Sequence, residues 1–479
     1  MYIRFTDLNR NFISLVAMLP LLLGLASCAE QEAPGSQASD RQTIDAVAIE
    51  NITLIDAVNG LRENQTVIFA GDEIIAVQAA SATHNASEVI DGSGRYLIPG
   101  LWDFHVHLTY EEGLVDAMAE LFLSYGITSV RDTGGLLDKV LPVAEAMNDP
   151  DSLAPRVYYA GPLLDGDFVV YNGIGRPEIG TSVPSDEAAR QTVAMLAEAG
   201  VSFIKIYEMV SPEVFAALVA AAEELGLPID SHVPLSMRAS VAGPDVDSIE
   251  HLRNIEMDCA EDAEALHATR LELLENPDGI PGADLRASLH SLQRLPAVAN
   301  YDEAQCDQTI AAMSDTVMVP TLRLNSFNLL PAWERNDFED ALIRLPAELR
   351  ESWREQAANR SQQPPGDTTF AEWSLFLTER MHEAGVPIGA GTDTPINLSV
   401  PGYSLHSELD MLVRAGLTPL EAIEAATLEP AKFFDLQDRM GSIEVGKVAD
   451  LVMLGANPLE SISATKAIEL VVSQGRVMR

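Results

Sequence analysis

Basic residues are scarce: 30 lysines and arginines stand against 72 aspartates and glutamates in 479 residues, a formal charge of −42. Such a chain repels a phosphate backbone instead of binding it through counterion release, which argues against nucleic acid as a partner. Cysteine is scarce too, with three residues in all. That excludes a disulfide-dense scaffold, and without any CxxC pair or Cys/His finger spacing it excludes a structural zinc site of that type. Also missing are a GxSxG nucleophile elbow, an HExxH helix and a Walker-type glycine loop. Serine-hydrolase, zincin and nucleotide-dependent mechanisms therefore lose their support. No internal repeat of fixed period is found. With 47% hydrophobic and 21% charged residues, most of the chain has the composition of a large globular core and not of a disordered one.

The one long apolar run is Phe12 to Leu25, preceded by Arg4 and Arg10. It is short for a transmembrane helix and reads as an export signal. It ends in Leu25-Ala26-Ser27-Cys28, which resembles the lipobox of bacterial lipoproteins. The resemblance implies a signal peptide over 1–27, lipidation of Cys28, a polar tether over 28–43, and a lipid-anchored protein on the periplasmic or cell-surface side of a bacterial membrane. A plain signal peptide with an incidental cysteine is the alternative. Cys259 and Cys306 remain; outside the cytoplasm they are either a disulfide or two free buried thiols, and spacing does not choose.

Residues 44–97 consist of short β-rich pieces broken by turns at Asn59-Gly60 and Gly71-Asp72, and 439–479 have the same texture. The two chain ends are expected to build one small β-sandwich. Between them, residues 98–438 alternate strand-like apolar runs with helical stretches, the pattern of parallel βαβ units. The runs LWDFHVHL, ITSVRDT, VYYAGPL, SFIKIYE, PIDSHVP, SIEHL, VMVPTLR and PIGAGTDT number eight, as a closed (β/α)8, TIM-like barrel requires. The fold class expected is α/β. Ser211-Pro212 before an apolar helix that ends at Gly226, and Thr418-Pro419-Leu420-Glu421, carry capping signals. The stretch from SIEHL to VMVPTLR is longer than a barrel unit needs and is expected to hold inserted helices that help roof the site.

His105 and His107 stand at i and i+2 in an extended run, so both imidazoles point the same way. An HxH on a strand is commonly a surface pair. Here, however, Lys205, His232, His251 and Asp393 each fall near the C-terminal end of a different expected strand. In a barrel those ends converge on the face where active sites form. Four histidines and a carboxylate supply ligands that zinc accepts, with room left for water. His84, His267, His290, His382 and His406 fall in expected loops or helices, with solvent-facing or capping roles.

The motifs LIPGLWDFHVHL, GITSVRDTGG, FIKIYE, SHVP, SIEHL, GTDT, the tail AGLTPLEAIEAATLEPAKFFDL and GSIEVGKVADLVML together resemble the amidohydrolase superfamily, in its imidazolonepropionase-like and prolidase-like branch. The resemblance runs from about Ile44 to the C-terminus and implies a distorted (β/α)8 barrel with a β-sandwich made from both ends. It implies that His105, His107 and Asp393 bind one of two divalent cations, expected to be zinc, that His232 and His251 bind the other, and that Lys205 bridges them as its CO2-derived carbamate. An ammonium has no lone pair and cannot ligate a cation, whereas the carbamate is an anionic oxygen donor. An ordinary salt-bridged lysine is the plain alternative, and it would leave one metal. A hydroxide shared by two cations then attacks a scissile carbonyl, with Asp393 as proton shuttle, as ligand only, or as both.

Tyr207 and Arg323 are candidate substrate contacts, and equally candidates for packing or for bridging an acidic neighbour. Dipeptidase-like relatives often carry Gly-Gly-His-Gly after the third strand, where this chain reads GPLLDGDFVVYNG, so dipeptide specificity is not carried over. The expected function is binuclear metal-dependent hydrolysis of an amide bond in a small peptide-like or N-acyl substrate. The competing readings are a mononuclear deaminase, a lactone or phosphoester hydrolase on the same scaffold, and a solute-binding lipoprotein without chemistry. A homo-oligomer stays open.

Overall fold

The structure is a computed structural model that describes residues 44–478. The expected signal peptide, the lipidation site Cys28 and the tether lie outside the described residues. Among the described residues, no helix is long and apolar enough to cross a membrane.

The chain ends meet in one eight-stranded sheet. The long strand Ile44–Asp56 pairs antiparallel with Gly60–Ala70, which in turn pairs with Glu73–Ala79. Both hairpins turn where glycine supplies a left-handed residue, at Gly60 and Gly71. On its other side the same strand carries Ala86–Asp91 and then Tyr96–Pro99, both parallel to it. Tyr96–Pro99 is the seam, because it pairs antiparallel with Leu451–Leu454, followed by Ile468–Ser473 and Arg476–Met478.

Side-chain alternation gives this sheet two apolar faces. Leu97, Leu451 and Met453 join Ile49, Val67 and Phe69 in the sheet's own core. Ile98, Val452 and Leu454 face the other way, into the core of the barrel. The boundary expected near residue 97 therefore falls at Gly100, since the whole of Tyr96–Pro99 belongs to the end sheet and the first barrel strand starts at Leu101.

All eight expected runs form the barrel wall. The first two strands are Leu101–Val106 and Ile127–Asp132. The third is interrupted: Arg156–Tyr159 pairs with the second, while its continuation Leu163–Asp165 pairs with the fourth, Ile204–Ile206. Ile229–Ser231, Ser248–Glu250 and Val317–Val319 follow in parallel. The eighth wall element, residues 387–394, is held on one side by Met318, whose N–H donates to Pro387 O at 2.8 Å, and on the other by Phe104, whose N–H donates to Ala390 O at 2.9 Å. Isolated parallel bridges Met318–Ile388 and Val106–Thr394 close the ring.

The capping signals operate as read. Ser211 Oγ accepts from Val214 N–H, Pro212 opens the helix Pro212–Leu225, and Gly226 ends it with a left-handed residue. Thr418 and Glu421 form a reciprocal capping box. Between the sixth and seventh strands lie four helices, Ile255–Asp258, Ala263–Leu274, Gly282–Ala299 and Glu303–Ala312. A disulfide joins Cys259 to Cys306 within this insertion.

Candidate metal centre

Each site residue sits in a barrel wall element or directly after one. His105 and His107 share one face of the first strand and lie with ring centroids 5.3 Å apart. Lys205 lies within the fourth strand, His232 directly after the fifth and His251 directly after the sixth. His251 and Asp393 have left-handed backbones, with φ of 65° and 57°. This conformation is costly for a residue with a Cβ, and it turns both side chains off the wall into the mouth. Gly391 makes the approach of the eighth element possible, because a Cβ there would lie 2.6 Å from His105 Cβ.

All four imidazoles are held from behind. His105 Nδ1 is 2.5 Å from Glu250 Oε2, His107 Nδ1 donates to Gly134 O at 2.9 Å, His232 Nδ1 is 2.9 Å from Glu208 Oε1, and His251 Nδ1 is 2.7 Å from Thr321 Oγ1. In each ring Nε2 is the remaining nitrogen. Outer partners of this kind fix the tautomer and the orientation of a metal-ligating histidine. Asp393 Oδ1 lies 3.3 Å from His105 Nε2 and 3.2 Å from His107 Nε2, is buried, and has no hydrogen-bond partner. An orphaned carboxylate oxygen beside two nitrogens aimed at one point fits a cation, and the three groups are close enough to hold one ion together.

Electrostatics separate His105 from His232 and His251. Burial would lower the pKa of His105, but the Glu250 carboxylate and then Asp393 outweigh it and push the imidazole up to about 9. This is an anionic pocket that holds a proton where a cation would sit. Burial and the Lys205 charge bring His232 down to about 3, and burial with Arg253 nearby brings His251 well below the usual range. Those two rings stay neutral, with lone pairs available. Asp393 is held well below the usual carboxylate range, because the His105 and His107 imidazoles facing it outweigh its burial.

Lys205 Nζ lies on the cavity wall and donates to Asp230 at 2.7 Å, with Glu250 at 3.9 Å. Behind it, Arg131 is fully buried, ion-paired with Glu250, and donates to Phe104 O at 2.7 Å and to Ser248 Oγ at 2.9 Å. Lys205 and Arg131 thus face the carboxylates of Asp230 and Glu250.

Above these groups opens a cavity of about 260 Å³, lined by the four histidines, Lys205 and Asp393 and, among others, Tyr207 and Arg286. The Tyr207 ring lies 4.5 Å from His232, and burial keeps its phenol protonated. Arg286 comes from the inserted helix Gly282–Ala299, so the insertion does help roof the site.

Two expectations are corrected. Arg323 does not line this cavity: Thr321, left-handed at φ 45°, starts the short helix Leu322–Asn325, and the Arg323 guanidinium donates to Ile396 O at 3.0 and 3.1 Å. There it pins the loop after the eighth wall element. His290 and His406 are not solvent-facing. His406 is fully buried between Thr465 Oγ1 and Tyr125 O, and His290 Nε2 lies 3.0 Å from the buried Glu208. The outer partners Glu208, Glu250, Thr321 and Gly134 were not singled out from sequence, although Glu208 and Glu250 stand inside the motifs FIKIYE and SIEHL.

Eight parallel wall elements with a histidine and carboxylate mouth at their C-terminal ends define a TIM-like barrel with a candidate metal site. The sequence model of the Amidohydrolase family matches residues 96–269 and 376–478, more than half of the chain, and the protein belongs to that family. Most of the inserted helical region lies between the two matched stretches. Among curated proteins, the chain is 32% identical over 128 residues to the imidazolonepropionase of Streptococcus gordonii, covering 23% of this chain and 40% of that one. It is 41% identical over 90 residues to the imidazolonepropionase of Pseudomonas savastanoi pv. phaseolicola, covering 18% and 22%. The chain thus spans less than half the length of these relatives. Among solved structures, an Xaa-Pro dipeptidase with bound methionine superposes with a TM-score of 0.65 at 21% identity, over 91% of this chain and all of that one. Bottromycin amidohydrolase gives 0.65 at 22% identity, over 90% and 86%. At these identities the structural likeness establishes the shared fold.

Proposed function

We propose that the protein is a metal-dependent hydrolase that cleaves the C–N bond of a small amide, peptide-like or N-acylated. One observation carries the reading: four imidazoles, each with Nδ1 tied off behind it, share a cavity wall with the unpartnered Oδ1 of Asp393. His105, His107 and Asp393 would hold one divalent cation, expected to be zinc, and His232 and His251 a second. When bound, such cations supply Lewis acidity toward a carbonyl and lower the pKa of water from about 16 to about 7. The Asp393 carboxylate accepts the proton of the attacking water and returns it to the leaving nitrogen. The protonated Tyr207 phenol is available as a donor to the substrate.

Lys205 enters this reading as its carbamate, formed when the neutral amine adds to carbon dioxide and loses a proton. The change replaces one positive charge with one negative charge beside Asp230 and Glu250, and a second divalent cation offsets it. Carbamate and second cation are therefore expected together or not at all. The present pairing of Lys205 with Asp230 favours a second reading, in which the lysine stays an ammonium and one cation suffices.

Metal content per chain, combined with ¹³C NMR of protein equilibrated with ¹³C-bicarbonate, tests the point. Two equivalents with a carbamate resonance are expected. One equivalent without the resonance selects the one-metal form, and absence of metal-dependent turnover across a panel of small amides rejects the hydrolase.

Export and lipid attachment at Cys28 belong to the same proposal. The Cys259–Cys306 disulfide supports it, since disulfides persist mainly in oxidising compartments. Labelling with a radioactive fatty acid should mark the wild type and not Cys28→Ser; equal labelling removes the anchor from the proposal.

A further inference from the structure

Three arginines, Arg176, Arg253 and Arg286, line the cavity that holds the histidines. Asp393 is the one carboxylate among the lining residues, although acidic residues outnumber basic ones by more than two to one in the chain. The basic groups there are not equivalent. Lys205 is neutralised by Asp230, and Arg286 donates to Glu208 at 2.7 Å. Arg253 and Arg176, in contrast, have no ion pair with any carboxylate among the described residues, and Arg176 has its guanidinium 5.4 Å over the Tyr171 ring. In a protein of this charge, an arginine at the rim of a cavity has many acidic groups with which to pair, so two left unpaired beside one site call for an external anion.

Arg253 follows the ligand histidine His251 by two residues, and Arg176 belongs to the loop between the third and fourth strands, so their charges approach the cavity from different elements. A guanidinium presents a planar fork matched to a carboxylate, and a low-dielectric cleft concentrates that field on whatever enters. The same lining includes Leu163, Ile179, Leu324 and Ile396, which suit an aliphatic or aromatic group. The volume, about 260 Å³, lies below the roughly 300–1,000 Å³ of sites for drug-sized ligands.

We infer that Arg253 and Arg176 form an anion subsite that selects substrates bearing a free carboxylate, so that the amide cleaved is that of a small N-acylated amino acid. Its apolar part lies against Leu163 and Ile179. The inference rests on the amide-hydrolase reading above, and it assigns specificity residues to that site.

The test uses the metal-loaded protein and matched pairs of ligands. In turnover, N-acetyl-leucine and N-benzoyl-leucine are compared with their carboxamides. In binding, N-benzyl-leucine, whose amine replaces the scissile amide, is compared with N-benzyl-leucinamide by calorimetry. The acids are expected to exceed the carboxamides by at least about 100-fold in kcat/KM and at least about 10-fold in affinity. In Arg253→Met and in Arg176→Met these ratios should collapse toward one, mainly through KM, with metal content and thermal unfolding as in the wild type; Arg253→Lys should recover part of the preference. Equal handling of acid and carboxamide by the wild type, or ratios that survive both methionine variants, overturns the subsite. Selective binding of the acid without turnover of any amide would retain the subsite and reject the hydrolase, so the two failures are distinguishable.

Discussion

Replacing Asp393 with Asn is expected to lower kcat by at least about 10³-fold, within the range that proton transfer contributes to catalysis, while the protein still folds. The fold should survive because the backbone N–H of Asp393 keeps its bond to His105 O at 2.8 Å and because Oδ1 has no hydrogen-bond partner to lose. Asparagine has nearly the same shape and cannot carry the water proton. Steady-state turnover, metal content and thermal unfolding, measured on the same preparation, separate the roles. A variant that keeps its metal and loses turnover identifies Asp393 as the proton carrier, and one that loses metal as well identifies it as a necessary ligand. Normal turnover with normal metal content would remove Asp393 from the mechanism and would favour a solute-binding protein.

Stripping the protein with a strong chelator should abolish turnover, and adding a divalent cation should restore it. The pH dependence of that restoration follows from His105. Without metal its imidazole holds a proton up to about 9, because Glu250 and Asp393 outweigh burial, and that proton must leave before Nε2 can ligate. Apparent metal affinity should therefore rise by up to about tenfold per pH unit between pH 6 and 9 and level off above. His232 and His251 add little to this slope because they are already neutral there. The midpoint of metal reconstitution at several pH values measures it. A flat profile would show that His105 is not charged in the free site, and activity that survives complete metal removal would end the metallohydrolase reading.

The barrel was legible in the sequence because buried parallel strands are short apolar runs, and eight of them in order leave little choice of architecture. The interruption of the third strand and the irregular eighth element were not legible, since both are set by neighbouring backbone and not by local composition. The ligand set could be read because alternation puts His105 and His107 on one face and strand ends put the remaining groups at one mouth. The residues behind the ligands were hidden in plain view. Glu208 and Glu250 lie within the quoted motifs, but a carboxylate in a strand reads as solvent-facing until the opposite wall supplies His232 or His105. Arg323 misled because one left-handed residue, Thr321, changes the chain direction just before it. His290 misled because its helix buries Arg286 and Gln293 as well as Leu289, so polarity marks no outer face there. Arg176 and Arg253 carry no local signature at all and gain meaning only from the cavity they share.

The seam between Tyr96–Pro99 and Leu451–Leu454 also bears on how this molecule comes into being. A ribosome that has delivered everything through residue 450 has made every wall element of the barrel, yet one edge of the N-terminal half-sheet still displays bare amides and carbonyls, the kind of edge on which other chains assemble. The clasp arrives only with the strands between Leu451 and Met478. Native structure in this protein is consequently a late event, joined across more than 350 residues, and the nascent chain has to be kept from partners until these strands emerge.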